Sequence, residues 1–241
     1  MRADTYYYKA LLRNLAAHAG LRAHRRPDGL VRALRSHGID VVLDVGANAG
    51  QFARGIRAMG YRGRIVSFEP LSAAFRKLSA NRNTFAEWRA VQVALGDEDC
   101  TRRINVAGNS QSSSFLDMLP RHVDAAPKSA YVGTEDVIVK RLDDVFDDYC
   151  APQERCFLKI DVQGFEEAVL RGAERSLDRC AGLYLELSLV PLYRGALSFA
   201  QAIERLAARG FALVDLRYPF NDPGSGELLQ IDGTFFRSTR G

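Results

Sequence analysis

Three acidic residues, Asp44, Glu69 and Asp161, each stand at the end of a short apolar run that is typical of a buried strand. In an open α/β sheet the carboxyl ends of parallel strands lie along one edge, where ligands bind. We therefore expect the three carboxylates to surround one crevice. Carboxylates facing a ligand favour a cationic group and repel a pyrophosphate.

The segment after Asp44 predicts a strand that turns sharply into a helix. Gly46 and Gly50 suit a tight turn whose backbone N–H groups face a ligand. Asn48 stands where a dinucleotide-binding motif would have its second glycine, and Glu69 follows about 20 residues later, as expected for an acid that binds a ribose. This combination favours S-adenosylmethionine over NAD, and an NAD-dependent oxidoreductase is the alternative within enzymes.

We expect the cofactor to contact the first turn and the ends of neighbouring strands, with adenine against the end of the third strand. The predicted cofactor-binding residues are Asp44, Gly46, Ala47, Asn48, Gly50, Phe68, Glu69, Ala94, Leu95 and Asp161.

The alternation of strand and helix patterns predicts an α/β fold with a seven-stranded, mostly parallel sheet, an antiparallel last strand and helices on both faces. The third strand is predicted at residues 88–95. Residues 99–129 show no regular pattern, and the polar run 109–114 within them is a candidate lid. His122 in this region is expected to be a solvated surface residue.

The composition is that of a globular protein, with 241 residues, 47% hydrophobic and 26% charged residues, and a net charge of +4. No apolar run is long enough to span a membrane, and the N-terminus lacks the apolar core of a secretory signal. Four cysteines without metal-ligand spacing predict reduced thiols. These features predict a cytoplasmic protein.

We divide the chain into an N-terminal helical arm, residues 1–38, and one catalytic domain, residues 39–241. The arm combines apolar residues at helical spacing with several basic residues. It is expected to cover the domain or a second subunit of a homodimer. Contact with a membrane surface or a lipid-bearing substrate is the alternative, since basic amphipathic helices do both.

Three motifs in order resemble the FkbM family of S-adenosylmethionine-dependent O-methyltransferases: Leu43–Gly50, Ser67–Pro70 and Lys159–Glu166. The segment Leu170–Ala173 and the late pair Leu185–Glu186 add to the likeness, which covers about residues 39–236. The resemblance implies a class I methyltransferase fold, which is Rossmann-like, and methylation of hydroxyls of sugars or polyketides. A weaker likeness is to actinobacterial enzymes that methylate deoxysugars of glycolipids. Gln163 departs from the family, which commonly has Glu at that position.

Methyl transfer to an alcohol needs positioning and a base that removes the hydroxyl proton. Asp161 is the first candidate for that base, and Glu186 and Glu166 are the second candidates. Glu166 alternatively offsets the dipole of the helix that it begins. Lys159 is expected to point away from Asp161.

The expected acceptor is a hydroxyl of a sugar, on a glycolipid or another glycoside, and a polyketide or other small natural product is the alternative. A magnesium ion held by Asp161, Glu166 and Glu186 is compatible with the sequence but not required by it. The dispersed positive charge argues against a nucleic-acid partner. A catalytically silent binding module on the same fold is the remaining alternative.

Overall fold

The computed structural model describes residues 29–82 and 87–238. The helices are α1 (Gly29–Ser36), α2 (Gln51–Ala58), α3 (Ser72–Arg82), α4 (Pro120–Ala125), α5 (Leu142–Val145), α6 (Glu166–Arg171), α7 (Glu174–Arg179) and α8 (Phe199–Ala208). The strands are β1 (Val41–Val45), β2 (Arg64–Phe68), β3 (Trp88–Val91), β4 (Ala94–Gly96), β5 (Cys100–Ala107), β6 (Tyr131–Arg141), β7 (Cys156–Ile160), β8 (Cys180–Ser188), β9 (Phe211–Asn221) and β10 (Leu228–Arg237).

The main sheet has seven strands in the order β3-β2-β1-β7-β8-β10-β9. β10 runs antiparallel to both β8 and β9, whereas the neighbouring pairs among β3, β2, β1, β7 and β8 are parallel. This arrangement confirms the predicted sheet with its antiparallel last strand. The carboxyl ends of β1, β2 and β7 therefore meet at one edge.

Helices cover both faces of this sheet, which explains why the central strands are mostly apolar, with Asp44 in β1 and Lys159 in β7 as buried exceptions. All five residues of β1 and all five of β7 are buried. On one face Leu34 of α1 and Ile56 of α2 pack with Phe157. On the other face Val169 of α6 and Leu206 of α8 pack with the opposite side of β7. Strands buried on both faces lack polar alternation, as in other doubly wound sheets.

A second sheet of three strands, in the order β4-β6-β5, corrects two sequence-based predictions. The predicted third strand, residues 88–95, is two strands in two sheets, because the chain leaves the main sheet after Val91 and β4 pairs with β6. The region 99–129 is not wholly irregular, since β5 forms eight residues of antiparallel pairing with β6. Its partner lies about 30 residues further along the chain, so local periodicity did not reveal it.

The described part of the predicted arm, α1, buries Leu30, Val31 and Leu34 in the core beside β1. The helix predicted within residues 3–26 lies outside the described residues, so the division at residue 38 stays a prediction. None of the helices within residues 29–82 and 87–238 combines the length and the apolarity needed to cross a membrane.

Candidate active site

The turn between β1 and α2, which we call the first turn, brings backbone N–H groups to a carboxylate on the neighbouring strand end. The Asn48 N–H donates to Glu69 Oε2 at 2.8 Å, and the Leu71 N–H donates to Glu69 Oε1 at 2.9 Å. Asn48 has a φ of 47°, and its side-chain oxygen accepts from the Ala49 N–H at 2.9 Å. Asn tolerates this left-handed conformation better than most residues. The turn therefore holds Glu69 through its backbone.

Burial of the Glu69 carboxyl raises its pKa to about 7, although the Leu71 and Asn48 N–H groups oppose that shift. Each carboxylate oxygen has a lone pair beyond the one used by the backbone donor. A buried acceptor of this kind suits the two hydroxyls of a ribose, as the sequence predicted.

Gly46 is required by the close approach of two loops. Its φ is 75°, and a Cβ at this position would lie 1.8 Å from the backbone oxygen of Asp161. The first turn and the segment after β7 therefore touch through backbone atoms, which is why ligand-binding residues from both can share one cavity.

The turn between β7 and α6, which we call the second turn, is held by Glu166. Its Oε1 accepts from the N–H groups of Val162 at 3.0 Å and Gly164 at 3.2 Å. Glu166 is buried, which raises its pKa to about 7. These contacts support a structural role for Glu166 in the turn.

Lys159 lies between two acids, contrary to the expectation that it points away from Asp161. Its Nζ is 3.1 Å from Asp44 Oδ1 and 3.5 Å from Asp161 Oδ2, and it donates to the carbonyl oxygens of Val45 and Gly46. The reason is that strand pairing continues past Ile160, since the Asp161 N–H donates to Val45 O at 3.2 Å. Residues 159 and 161 therefore share one face of the sheet.

The Lys159 ammonium stays charged in this position. Burial by itself would lower its pKa, but the carboxylates of Asp161 and Asp44 outweigh burial and raise the pKa above its usual value. A buried ammonium with two carboxylates and two carbonyl oxygens has its hydrogen-bonding capacity satisfied.

Asp44 lies beneath the ligand space rather than in its wall. Its side chain is fully buried, and Ser67 Oγ donates to its Oδ2 at 2.9 Å. Its charge is matched by Lys159. Asp44 does not line the cavity and touches Lys159, so its predicted contact with the cofactor stays a prediction.

Asp161 and Glu186 are joined through one amide group. Gln163 Nε2 donates to Asp161 Oδ1 at 3.1 Å and to Glu186 Oε2 at 2.7 Å. The Tyr193 hydroxyl donates to Gln163 Oε1 at 2.8 Å. The sequence motifs indicate no role for Tyr193, and position 163 stands out only as a departure from the family motif.

A cavity of about 540 Å³, including the solvent space at its mouth, lies between the first and second turns. Seven of the predicted cofactor-binding residues line it: Gly46, Asn48, Phe68, Glu69, Ala94, Leu95 and Asp161. Glu69 and Asp161 thus face one cavity, as expected from the strand order.

The other predicted residues do not line this cavity. Ala47 is buried and its N–H donates to Phe68 O. Gly50 packs against the Trp88 ring, which a Cβ would approach to 2.6 Å. Glu166 is engaged in the second turn, and Glu186 is partly buried beyond Gln163.

The polar run that the sequence marked as a candidate lid forms part of the cavity wall through Ser110, Gln111 and Ser113. Asn48 Nδ2 donates to Ser110 Oγ at 3.1 Å, and Ser114 Oγ donates to Gln163 O at 2.6 Å. The run is therefore hydrogen-bonded to both turns.

His122 is buried, contrary to the prediction of a solvated surface residue. Its ring packs edge-on against Tyr193, with the ring centroids 5.1 Å apart, and lies beside Phe220. Burial lowers its pKa to about 4. The apolar partners come from β9 and the segment after β8, which the local sequence around His122 does not reveal.

The residues present fit S-adenosylmethionine. Glu69 offers acceptors for a ribose, Leu95 and Phe68 give an apolar wall for adenine, and the carboxylate of Asp161 favours a cation. Within the described part of the chain, no three His, Cys, Asp or Glu side chains are arranged to hold a metal ion.

The comparisons with known proteins agree with this geometry. The family model described as a methyltransferase FkbM domain matches residues 44–213, which include both turns. The chain belongs to the FkbM methyltransferase family. This FkbM protein is therefore an S-adenosylmethionine-dependent methyltransferase.

The FkbM chain is similar to two curated proteins of different size. It is 29% identical over 165 residues to the AMB antimetabolite synthetase AmbE of Pseudomonas aeruginosa, a match of 56% of this chain and 8% of AmbE. The chain thus spans only a small part of that relative. It is 24% identical over 175 residues to the 2-O-methyltransferase NoeI of Sinorhizobium fredii, covering 69% of this chain and 70% of NoeI.

Among solved structures, the FkbM chain is similar to magnesium protoporphyrin IX methyltransferase of Synechocystis PCC 6803 with bound S-adenosylmethionine. The TM-score is 0.47 at 12% identity, over 88% of this chain and 78% of that chain.

Proposed function

We propose that this protein transfers a methyl group from S-adenosylmethionine to a hydroxyl group, and that the hydroxyl belongs to a sugar of a glycolipid or another glycoside. The observation that carries the proposal is that Asp161 lines the cavity and is joined through Gln163 to a second carboxylate, Glu186. An alcohol transfers its proton as the new bond forms, so a carboxylate near the acceptor is the group that the reaction needs.

When bound, S-adenosylmethionine supplies an activated methyl group on a positively charged sulfur. Glu69, whose oxygens are oriented by two backbone N–H groups, would hold this ligand at one end. At the other end the Asp161 carboxylate, about one third exposed, faces the cavity. A hydroxyl placed beside Asp161 would lie close to both members of the carboxylate pair that Gln163 joins.

The sugar is preferred as acceptor because the similar protein NoeI is a 2-O-methyltransferase and matches over most of its length. A polyketide or another small natural product is the second candidate, since the similarity to an antimetabolite synthetase points to natural-product chemistry.

We also propose that the reaction takes place in the cytoplasm. All four cysteines are free thiols, which suits a reducing compartment. The basic arm would bring the enzyme to a lipid-bearing acceptor or to a second copy of the chain, and these two roles are separated by vesicle flotation and by light scattering of the full-length protein.

The test has two arms. Calorimetry with S-adenosylmethionine measures cofactor binding, and a trideuteromethyl cofactor with a panel of methyl glycosides and hydroxylated polyketides measures transfer by mass spectrometry. We expect label on a glycoside hydroxyl. Label on the polyketides alone would replace the sugar with the second candidate, and binding without transfer to any compound would support a silent module.

Deletion of the gene in its host identifies the natural acceptor. We expect glycolipids or glycosides that are lighter by one methyl group. Activity measured with and without a chelator shows whether magnesium contributes.

A further inference from the structure

Gln163 has a side chain whose orientation is determined by three partners. Ionised carboxylates only accept hydrogen bonds, and the amide nitrogen faces Asp161 and Glu186. The amide oxygen then faces the Tyr193 hydroxyl, which donates to it. Burial raises the pKa of Tyr193, so the hydroxyl remains a donor.

The backbone of Gln163 is held as firmly as its side chain. Its φ of 56° is a left-handed conformation that side chains rarely adopt, and Ser114 Oγ donates to its carbonyl oxygen at 2.6 Å. The following residue, Gly164, packs against Tyr193 so closely that a Cβ would lie 2.8 Å from it. The second turn is therefore built to present this one amide.

The two carboxylates that share the amide have unequal surroundings. Asp161 has Lys159 at 3.5 Å from one oxygen and Gln163 on the other oxygen. Glu186 accepts from Gln163, and it forms no ion pair among the described residues. Across the strands Glu186 lies directly opposite another acid, Asp232. Like charges placed opposite each other in an antiparallel pair are destabilising.

We propose that Glu186 is the group that accepts the proton of the acceptor hydroxyl, and that Gln163, held by Tyr193, is the residue that positions it. In this assignment Asp161 is engaged by Lys159 and does not receive the proton. The inference rests on the proposed function, and it deepens that function by dividing the roles of the two candidate bases.

The proton balance is simple. As the hydroxyl oxygen bonds to the methyl carbon, the carbon–sulfur bond breaks with its electron pair returning to sulfur, and the hydroxyl proton moves to a Glu186 oxygen. The carboxyl later loses this proton to water. No oxidant or further reactant is needed.

The charged groups around Glu186 favour this role. Burial raises its pKa well above the usual value, and Asp161, Glu166 and Asp232 raise it further, while Lys159 opposes them. Asp232 itself has a pKa raised to about 6 by burial and accepts from the Tyr184 hydroxyl. A carboxylate with a raised pKa is a stronger base than an ordinary carboxylate.

The first experiment compares Glu186→Gln with Asp161→Asn, using the best acceptor of the glycoside panel. We expect the Gln variant to lose about 10²–10⁴-fold in kcat with little change in cofactor affinity. We expect the Asn variant to lose less than about tenfold in kcat. A larger loss for Asp161→Asn than for Glu186→Gln would overturn the assignment.

The second experiment tests positioning without any acceptor. The Glu186 carboxyl is titrated by carbon NMR in the wild type, in Gln163→Glu and in Tyr193→Phe. A third carboxylate at 163 should move the Glu186 titration to higher pH by about one unit or more, because like charge and a lost donor both disfavour the anion. Tyr193→Phe should give a smaller shift in the same direction.

Gln153→Glu is the matched control, because Gln153 is exposed in a turn and the substitution adds the same charge. We expect it to leave the titration of Glu186 where it is in the wild type. An unchanged titration in both Gln163→Glu and Tyr193→Phe would overturn the positioning role.

The two readouts separate the inference from the function on which it rests. With an active acceptor, the acid limb of the kcat–pH profile should move with the Glu186 titration, and an acid limb that stays in place would reject Glu186 as the base. If no panel compound is methylated while the titration responds as expected, it is the proposed acceptor class that fails.

Discussion

The first and second turns have the same local plan but use it differently. Each follows a buried strand, each has a non-glycine residue in the left-handed conformation, and each has a glycine within two residues of it. In the first turn the Asn48 backbone N–H contacts Glu69 on the next strand end. In the second turn the Gln163 side chain contacts Asp161 and Glu186.

The difference shows how one strand–turn–helix unit can serve two purposes. Backbone donors are available whatever the side chain is, so the first turn can hold a common cofactor with small residues. The second turn depends on the identity of one side chain, and substitutions there should affect turnover more than binding.

The largest effect is expected at the contact between the two turns. Gly46→Ala would place a Cβ 1.8 Å from the Asp161 carbonyl oxygen, so we expect little folded protein or a loss of at least about 4 kcal/mol in the free energy of unfolding. Gly195→Ala is the control, with a similar φ of 76° and no atom within 4 Å of the added Cβ. Urea unfolding should show that the control loses about 1–2 kcal/mol in the free energy of unfolding. Equal losses at the two glycines would contradict the close approach.

Lys159→Met is expected to have the next largest effect, because it leaves Asp44 buried without its counter-charge. Loss of one partner of a buried ion pair costs about 3–5 kcal/mol. Lys140→Met is the matched control, since Lys140 forms an exposed pair with Asp99 and its loss should lower the free energy of unfolding far less. Urea unfolding measures both, and a Lys159 value as small as that of Lys140 would refute the role of Lys159.

The buried Glu69 carboxyl should lower the free energy of unfolding of the wild type by an amount that depends on pH. Its pKa is raised from 4.5 to about 7 in the folded state, so both states are protonated below about pH 4. Stability from this group is lost as the pH rises towards and through 7. Between pH 4 and 8 the unfolding free energy of the wild type should fall relative to that of Glu69→Gln by up to about 3 kcal/mol.

Calorimetry measures the affinity of the same variant, Glu69→Gln, for the cofactor. We expect Glu69→Gln to bind S-adenosylmethionine at least about tenfold more weakly, because the amide nitrogen cannot accept from a ribose hydroxyl. A pH-independent stability difference, or wild-type affinity, would count against the assignment of Glu69.

The smallest effect is expected at Asn48. Replacement by Gly removes the hydrogen bonds of its side chain but relieves the left-handed conformation, so the unfolding free energy should change by less than about 1 kcal/mol. Gln163→Gly relieves the same left-handed conformation, yet it should lower kcat by at least about tenfold. Similar kinetic losses in the two variants would remove the contrast between the turns.

Much of the site could be predicted from the sequence because it lies at strand ends. Apolar runs followed by acids predict the ends of β1, β2 and β7. Parallel pairing brings the carboxyl ends of these strands to one edge of the sheet. Glu69 and Asp161 were therefore expected in one cavity, and they line one. The family likeness was carried by the same short motifs, and the family model confirms it.

Other features depended on partners that are distant in the chain. Whether Lys159 faces Asp161 depends on pairing beyond the end of β7, which the local pattern does not specify. The break between β3 and β4 follows from pairing with β6, more than 40 residues later. His122 is buried by Tyr193 and Phe220, which lie in other segments.

The sequence by itself determined the fold class, the family and the strand ends that carry the acids, because apolar periodicity and turn residues act over a few neighbouring positions. Only the tertiary structure decided that Asp44 lies under the cavity with Lys159 and that Gln163 joins Asp161, Glu186 and Tyr193. Those contacts join residues up to 115 positions apart and arise from how the strands pair. A buried charge or hydrogen-bond donor can use only the partners that the packed sheet brings close to it.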